Sequence, residues 1–379
     1  MLYLDHAATS PVRPEVLEAM QPYLTGVFGN PSSHHTAGEA ATAALEDARA
    51  RVARVLGMRT GDVIFTAGGT EANNLAMKGI VLAALSAGKR HLITTPIEHE
   101  SLLESAAFLQ RFHDVAVTKL PVDNTGRVSP EELADALQPD TALACIGHAN
   151  NEIGTVQDAA ALSAVTRAAG VPLHLDAVQS AGWLTLDGLG ADALSVAGHK
   201  LGAPKGIGVL AVRGRVPMEP LLHGGGQERG RRSGTENVAG AVGLAVALEL
   251  AEAERADVAA AVGTATARFI GAVLAAVPRA ALTGSPEHRL PATASFTFAG
   301  ISGEAVLLEL ERRGVISSSG SACAAGSDEP SHVLLACGIP PEVAQTSVRF
   351  TFGRTPLPED APGRLAALVA EAVTAVAGS

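Results

Sequence analysis

Short runs of β-branched and leucine residues alternate with Ala/Leu/Glu-rich stretches along most of this 379-residue chain. Runs of the first kind predict strands, and the longer stretches between them predict helices. The predicted strands are 62–66, 91–95, 142–146, 173–176 and 193–196, and the predicted helices are 71–85, 100–112, 129–137 and 159–169. The strands are apolar on both faces, which is typical of a parallel sheet with helices on either side. The alternation therefore predicts an α/β fold.

The amino-acid composition of the sequence changes in its last third. Residues 236–277 are rich in Ala, Val, Leu and Glu and contain no proline, so they predict one or two long helices. A strand at 294–298, a helix at 303–313 and a Ser/Gly-rich loop are predicted after them. We therefore expect a second, smaller α+β domain that begins near residue 255.

Charge and cysteine content exclude several classes of protein. Lys and Arg total 28 against 39 Asp and Glu, a formal charge of −11, which argues against a nucleic-acid or anionic-membrane partner. Three cysteines without a Cys-x-x-Cys pair predict neither a disulfide framework nor a zinc site. The N-terminus shows no export signal, and the longest clean apolar run, 238–248, is shorter than the ~18 residues of a membrane span. We expect a cytoplasmic enzyme.

Two polar residues follow predicted strands at the edge where α/β enzymes bind ligands. Asp176 ends the strand 173–176, and Lys200 stands in Gly-His-Lys after the strand 193–196. A buried carboxylate needs a cationic partner, and a protonated pyridine nitrogen would serve. An amine for a Schiff base together with such an acid is typical of pyridoxal phosphate sites.

The segment 66–70, Thr-Ala-Gly-Gly-Thr, runs from a predicted strand into a predicted helix. Its backbone N–H groups and the hydroxyl of Thr70 could hold a phosphate group. The alternative is a plain strand-to-helix turn that Thr70 caps.

The three cysteines differ in their neighbours. Cys145 lies in the apolar run 142–146 and is predicted to be a core residue, and Cys337 is also predicted to be structural. Cys323 lies among Ser, Gly and Ala in the segment 317–327, which predicts a mobile loop that can bring a thiol to a pocket and away again. An exposed free thiol in a linker is the alternative.

Nine short motifs occur in order over almost the whole chain. They are the segments 3–9 (Tyr-Leu-Asp-His-Ala-Ala-Thr), 29–33 (Gly-Asn-Pro-Ser-Ser), 69–71 (Gly-Thr-Glu), 150–154 (Asn-Asn-Glu-Ile-Gly), 174–179 (His-x-Asp-Ala-x-Gln), 198–200 (Gly-His-Lys), 232–235 (Arg-Ser-Gly-Thr), 319–323 (Ser-Gly-Ser-Ala-Cys) and 347–349 (Ser-Val-Arg). With these motifs the chain resembles the cysteine desulfurases of the NifS/IscS type, pyridoxal-phosphate enzymes of fold type I that are related to class-V aminotransferases. The resemblance implies a large domain, 15–255, with a mostly parallel seven-stranded sheet flanked by helices. It also implies a small α+β domain, 256–379, that carries the Cys323 loop and is joined by the N-terminal segment 1–14.

The resemblance also implies roles for single residues. Lys200 would carry pyridoxal 5'-phosphate as a Schiff base, and the other cofactor-binding residues would be Gly69, Thr70, His99, Asn151, Asp176, Gln179, His199 and Thr235. Asp176 would pair with the pyridine nitrogen, Gln179 would bond the phenolic oxygen, and His99 would stack on the ring and move protons. Thr70 and His199 would bind the phosphate. Thr235 would reach the phosphate of a neighbouring subunit, which implies a homodimer with shared active sites.

On the substrate side, the resemblance places Asn151 and Arg349 against L-cysteine, with Arg349 on its carboxylate. The implied reaction converts cysteine to alanine. Lys200 removes the α-proton, and the sulfur is transferred to Cys323 as a persulfide, with a base such as His99 assisting the thiol. The acceptor would be an iron–sulfur scaffold or a tRNA-thiolation protein. No metal site is predicted, although Cys323 could transiently ligate a cluster together with a scaffold.

Other functions remain open at this point. A selenocysteine lyase or another aminotransferase-like pyridoxal-phosphate enzyme would use the same lysine and aspartate. A non-catalytic sulfur-carrier platform would need neither. The basic cluster 229–232 is expected at a dimer interface or near the phosphate.

One position departs from the family pattern. Members commonly carry Ser two residues before the histidine of Gly-His-Lys, and this chain has Ala197 there. We predict a weaker phosphate site that still binds the cofactor. Ser195 lies roughly 6–7 Å along the strand, too far to replace the missing hydroxyl.

Overall fold

The computed structural model describes residues 1–319 and 329–378, and a seven-stranded sheet lies at its centre. In spatial order its strands are β2 (Val63–Thr66), β8 (Gly208–Val212), β7 (Ala193–Ala197), β6 (Leu173–Asp176), β5 (Thr141–Gly147), β3 (His91–Thr94) and β4 (Ala116–Lys119). Neighbouring strands are parallel except where β8 pairs with β2 and β7. The predicted mostly parallel sheet is confirmed.

Helices cover both faces of this sheet. They are α1 (Pro14–Thr25), α2 (Thr36–Val55), α3 (Gly69–Leu85), α4 (Glu100–His113), α5 (Pro130–Ala136), α6 (Ala159–Ala168) and α7 (Val238–Ala253). Alternate residues of β5 divide between the two faces. Ala144 and Ile146 pack in the cluster with α2 and α7, whereas Leu143 and Cys145 pack with α3 and α4. Burial on both faces explains why the strands read as continuous apolar runs.

Side chains close the edge of the sheet at β2. Arg49 Nη1 donates to Val63 O at 3.0 Å, and Phe65 N–H donates to Glu228 Oε2 at 3.0 Å. The two side chains also pair with each other, Arg49 Nη1 to Glu228 Oε2 at 2.6 Å, and both are buried. Each charge is compensated by the other, and the edge backbone groups are satisfied. The pair therefore fixes the loop that contains the basic cluster 229–232 beside the sheet.

The small domain has its own sheet, in the order β12 (Val348–Thr351), β10 (Thr293–Phe298), β9 (Ala280–Leu282), with antiparallel pairing. Its helices are α8 (Arg255–Ala276), α9 (Gly303–Arg312), α10 (His332–Ala336), α11 (Pro341–Ala344) and α12 (Ala361–Ala377). Edge-to-face aromatic contacts hold its core, which is centred on Phe269, Phe296, Phe350 and Phe352.

The N-terminal segment joins the small domain through a parallel pair, β1 (Leu2–Tyr3) with β11 (Val315–Ile316). This pairing and the separate core of the small domain support the predicted segments 1–14, 15–255 and 256–379, whose boundaries stay a prediction.

The helix α8, with 22 residues, is long and apolar enough to cross a membrane by length and composition alone. The sequence predicts a helix here but no membrane span, because Arg and Asp interrupt the apolar run. Its Val262, Phe269 and Val273 are buried in the core of the small domain, and it packs against α12. One face of the helix is thereby buried, and a single helix of this kind is weak evidence for a membrane span.

Candidate active site

A cavity of about 1040 Å³ opens where the carboxyl ends of β6 and β7 meet the start of α3. Arg349 of β12 and residues 7–9 of the N-terminal segment complete its wall, so both domains contribute to it. Nine predicted site residues line it: Gly69, Thr70, His99, Asn151, Asp176, Gln179, His199, Lys200 and Arg349. Thr235 is exposed and does not line the cavity of this single chain. Cys323 lies outside the described residues.

Lys200 stands in a short 3-10 turn, Gly198–Lys200, directly after β7. Its Nζ donates to Ala8 O at 2.8 Å and also to Ala7 O. Ala7 O accepts a further bond from Gln179 Nε2 at 3.1 Å. The N-terminal segment thus orients the amine and the amide of two predicted cofactor residues.

Asp176 ends β6 at the floor of the cavity. Val178 N–H donates to Oδ1 at 2.9 Å, and Asn73 Nδ2 donates to Oδ2 at 2.7 Å. Burial raises the pKa of Asp176, and these two hydrogen bonds oppose that rise. A buried carboxylate held in this way is suited to pairing with a cationic ring nitrogen.

His99 caps the N-terminus of α4. Its Nδ1 accepts from Ser101 N–H at 3.1 Å and lies 2.8 Å from Ser101 Oγ. Burial lowers the pKa of His99. Asn73 Nδ2 donates to Ser101 Oγ at 3.0 Å, so the hydrogen bonds continue from His99 to Asp176. Neither Asn73 nor Ser101 was predicted from the sequence, although Asn73 lies just beyond the Gly-Thr-Glu motif and Ser101 two residues after His99.

The start of α3 forms the predicted phosphate-binding end of the cavity. A Cβ on Gly69 would lie 2.8 Å from Val178 Cγ2, so only glycine allows the backbone so close to the sheet. His199 Nδ1 lies 3.2 Å from Thr9 Oγ1, and burial, with the charge of Lys200, lowers the pKa of His199 to about 4. His199 is therefore neutral at pH 7 and can offer a phosphate one N–H.

The predicted weaker phosphate site concerns the wall of the cavity at Ala197. Ala197 lines the cavity without a hydroxyl, and Ser195 Oγ is bonded to His174 Nε2 at 2.8 Å. The Ser195 hydroxyl is therefore engaged elsewhere. From the basic cluster, Arg232 Nε pairs with Glu71 Oε1 at 2.8 Å on the first turn of α3. This contact places part of the cluster beside the predicted phosphate site.

Arg349 is 2% exposed and reaches the cavity from the small domain. Its Nη1 donates to Asn151 O at 2.9 Å and its Nη2 donates to Asp5 Oδ1 at 2.8 Å. Its Nε is buried and has no hydrogen-bond partner within residues 1–319 and 329–378. The guanidinium therefore keeps N–H groups for a carboxylate.

A second buried acid, Glu98, lines the same cavity and was not singled out in the sequence. Thr95 Oγ1 donates to Glu98 Oε1 at 2.7 Å, and the backbone of Gly147 donates to the same carboxyl group. Burial raises the pKa of Glu98 to about 7, with a further contribution from the charge of Asp176. Near neutral pH this acid is only partly ionised.

Both described cysteines are buried, as predicted. Cys145 Sγ lies 2.9 Å from His174 Nδ1, and burial raises the pKa of Cys337 to about 11. Both thiols are protonated at neutral pH and face the interior, which leaves Cys323 as the candidate nucleophile. On either side of the segment 320–328, Ser318 pairs with the backbone of Arg349, and His332 Nε2 lies 3.0 Å from Glu98 O.

These residues fit pyridoxal phosphate. One cavity is lined by a primary amine, a buried acid and a helix N-terminus that follows glycine. The amine suits the aldehyde carbon of that group, the acid suits its ring nitrogen, and the helix N-terminus suits its phosphate. Asn73 Oδ1 is buried and, in the described part of the chain, makes no hydrogen bond, so the amide presents only its donors to Asp176 and Ser101.

Comparison with known proteins supports this assignment. The aminotransferase class-V family model matches residues 2–361. The cysteine desulfurase IscS of Dictyoglomus turgidum is 44% identical over 361 residues, which cover 95% of this chain and 91% of that protein. The cysteine desulfurase IscS of Methanosarcina thermophila is 45% identical, over 95% of this chain and 89% of that protein. The solved structure of a NifS-like protein has a TM-score of 0.91 and 34% identity, and the match covers 98% of this chain and 99% of that one. The predicted fold type I architecture is confirmed.

Proposed function

This chain belongs to the class-V aminotransferase family and is a cysteine desulfurase of the IscS type, and on that premise we propose how its residues divide the reaction. Lys200 moves the α-proton of L-cysteine, Asp176 holds the ring nitrogen of the cofactor, and Cys323 takes the sulfur. One observation carries the proposal. Lys200 and Asp176, at the ends of neighbouring strands, line one cavity with Arg349 from the other domain.

Pyridoxal phosphate, bound in this cavity, would supply an electron sink for the α-carbon of an amino acid. Gly69, Thr70 and His199 would hold its phosphate. Lys200 would hold its aldehyde carbon as a Schiff base, and Gln179 its phenolic oxygen. Side chains of this protein would bind the substrate and move its α-proton and its sulfur.

Arg349 and Asn151 bind the carboxylate of cysteine and so fix the α-hydrogen relative to Lys200. The amine of Lys200, which Ala7 O and Ala8 O hold at the cavity wall, takes that proton. The thiolate of Cys323 then attacks the sulfur of the substrate. An S–S bond forms, the Cβ–S bond breaks with its electron pair on Cβ, and Cβ takes a proton to give alanine. Cysteine plus thiol gives alanine plus persulfide, so the balance needs no oxidant.

The predicted alternatives, a selenocysteine lyase or another aminotransferase-like enzyme, differ in what they release. An aminotransferase needs a keto acid to accept the amino group, whereas the desulfurase yields alanine from cysteine without one. We expect the pyridoxal-phosphate-loaded protein to form alanine from L-cysteine in buffer that lacks any keto acid. Alanine that appears only after a keto acid is added would support the aminotransferase.

A matched pair of variants tests the role of Cys323. Cys323→Ala should bind pyridoxal phosphate and cysteine yet release almost no alanine, because no thiolate takes the sulfur. Cys337→Ala is the control, since that thiol is buried away from the cavity. After treatment with cysteine, mass spectrometry should find an addition of ~32 Da on the peptide that contains Cys323. Full turnover by Cys323→Ala would reject its role.

We further propose a homodimer in which Thr235 of one subunit completes the phosphate site of the other. Thr235 is exposed in the single chain, and so are the apolar side chains of Leu17, Leu24 and Phe28, with Leu222 at the cavity mouth. Mixing Lys200→Ala with Thr235→Ala subunits should restore one intact site in each mixed dimer and raise activity above that of either variant. No gain on mixing would contradict a shared site.

The destination of the sulfur and the compartment also remain proposals. We propose that an iron–sulfur scaffold or a tRNA-thiolation protein accepts the persulfide sulfur by thiol exchange. The free, buried thiols of Cys145 and Cys337 are consistent with a reducing compartment such as the cytoplasm. Transfer of ³⁵S from labelled cysteine to a candidate acceptor, with Cys323→Ala as the negative control, tests the first proposal.

A further inference from the structure

Four side chains form one chain of hydrogen bonds beneath the cavity. Asp176 Oδ2 accepts from Asn73 Nδ2 at 2.7 Å, and Ser101 Oγ accepts from the same amide nitrogen at 3.0 Å. Ser101 Oγ lies 2.8 Å from His99 Nδ1. Asp176, Asn73 and Ser101 are buried, so water does not compete for these bonds.

The chemistry of the groups sets the direction of every bond. An ionised carboxylate only accepts, so the amide of Asn73 must turn its NH₂ toward Asp176, and the second N–H then points to Ser101 Oγ. Ser101 Oγ accepts from Asn73, which leaves its proton to donate to His99 Nδ1. The backbone N–H of Ser101 also donates to His99 Nδ1, at 3.1 Å. The backbone N–H can only donate, and the Ser101 hydroxyl has its proton left for the same nitrogen, so both contacts favour an Nδ1 without a proton.

From this arrangement we propose that Asn73 and Ser101 are positioning residues that hold the resting His99 neutral, with its proton on Nε2. The inference rests on the proposed function, in which cofactor and cysteine occupy the cavity that His99 lines. The orientation of a ring nitrogen is commonly fixed by the hydrogen bond that the other nitrogen makes. Here the hydrogen bonds that orient His99 lead back to Asp176, the acid that also pairs with the cofactor in the proposed function.

The consequence concerns what His99 can do. A neutral imidazole with its proton on Nε2 offers the cavity a hydrogen-bond donor, able to stabilise negative charge that develops on a reacting atom. In this state Nε2 cannot accept a proton from the thiol of Cys323. The expectation that His99 acts as the base for that thiol is therefore replaced by a donor role in the resting enzyme.

The charged and titratable groups around His99 come from four elements. Asp176 of β6 and Glu100 of α4 favour its protonation, whereas Lys200 and His332 of α10 oppose it, and burial opposes it most strongly. Burial and the two donors to Nδ1 thus act in the same direction. A variant that tests the pH dependence of His99 should therefore leave these charged neighbours unchanged.

The proton position can be measured directly. In protein labelled with ¹⁵N-histidine and assigned with His99→Asn, the nitrogen spectra should show His99 protonated on Nε2 alone at pH 7.5, with and without pyridoxal phosphate. A proton on Nδ1, or a doubly protonated ring at that pH, would overturn the inference. The spectra do not depend on alanine formation, so failure of the tautomer assignment and failure of the desulfurase mechanism are separate results.

Two serine variants on α4 then test the role of the Ser101 hydroxyl. Ser101→Ala removes one donor to Nδ1, so the midpoint of the His99 titration should rise by about 0.5–1 pH unit, the effect of losing one hydrogen bond. The acid limb of the rate of alanine formation should move the same way. Ser105→Ala is the matched control, because Ser105 Oγ donates to Ser101 O and does not touch His99. An unchanged midpoint in Ser101→Ala, or an equal shift in both variants, would refute the positioning role.

Discussion

Arg349 and Asp5, 344 residues apart in the chain, form an ion pair in which Nη2 of the buried Arg349 donates to Oδ1 of the half-buried Asp5 at 2.8 Å. The pair joins the last strand of the small domain to the N-terminal segment whose carbonyl oxygens hold Lys200. Since Asn151 O takes a bond from Nη1, the plane of the guanidinium is fixed from two sides. The proposed carboxylate-binding group is therefore oriented before any substrate arrives.

Replacing Arg349 by Lys keeps the charge but removes the planar fork. We expect the KM for L-cysteine to rise tenfold or more, because at least one charge-assisted hydrogen bond, about 1.5–3 kcal/mol, is lost, while kcat changes less. Steady-state alanine formation against cysteine concentration measures both constants. An unchanged KM in Arg349→Lys would show that the carboxylate binds elsewhere.

Lys200→Ala separates proton transfer from sulfur transfer. Without the amine, exchange of the cysteine α-hydrogen with solvent should fall at least a hundredfold, in the range that a positioned acid–base group contributes. Deuterium incorporation in D₂O, followed by mass spectrometry, measures the exchange. Cys323→Ala is the comparison variant and should keep the exchange while it loses alanine release. Exchange at the wild-type rate in Lys200→Ala would assign the α-proton to another base.

Ala197→Ser should restore a phosphate contact at the wall of the cavity. A new hydroxyl beside the start of α3 can add one hydrogen bond, worth ~1 kcal/mol or about a fivefold slower loss of pyridoxal phosphate. The fraction of cofactor retained during dialysis, read from its absorbance, tests this. Faster loss than in the wild type would mean that the space at residue 197 is filled by packing, since a Cβ on Gly69 would lie only 3.2 Å from Ala197 Cβ.

Glu98→Gln should change how stability depends on pH. Because the pKa of Glu98 is raised to about 7 in the folded state, the folded protein holds a proton that the unfolded chain loses above about pH 4.5. Wild-type stability should therefore fall as the pH rises from 4.5 to 7, by an amount on the order of 3 kcal/mol from this group. Glu98→Gln cannot release that proton, so its stability should fall correspondingly less over the same pH range.

Denaturant unfolding of the cofactor-free protein at pH 5 and pH 7.5 measures the difference. Asp176 contributes a slope of the same sign in both proteins, so the comparison of variant with wild type isolates Glu98. Parallel pH dependences in the two would contradict a raised pKa for Glu98.

Local patterns in the sequence were sufficient to predict the strands that carry the site residues. The strand 173–176 was predicted to the residue, and Asp176 and Lys200 were each predicted to follow a strand. Burial on both faces makes such strands uniformly apolar, and the carboxyl ends of parallel strands share one edge. The strand β8 and the helices α1 and α2 were not predicted.

Contacts between distant side chains could not be read in this way. Nothing local in the sequence joins Asn73 to Asp176, Asp5 to Arg349 or Arg49 to Glu228, which lie 103, 344 and 179 residues apart. Glu98 has an ordinary pattern of neighbours, and only its burial beside Asp176 gives it an unusual proton affinity.

The sequence by itself determined the chemical groups and the edge of the sheet at which they gather, because strand periodicity and the order of motifs are properties of neighbouring residues. Only the tertiary structure decided how those groups are held: which carbonyls receive the amine of Lys200, which donors face His99, and how Arg349 is oriented. The physical reason is that a hydrogen bond depends on distances of a few tenths of an ångström between atoms. Such distances are set when separate elements pack together, and no spacing along the chain specifies them.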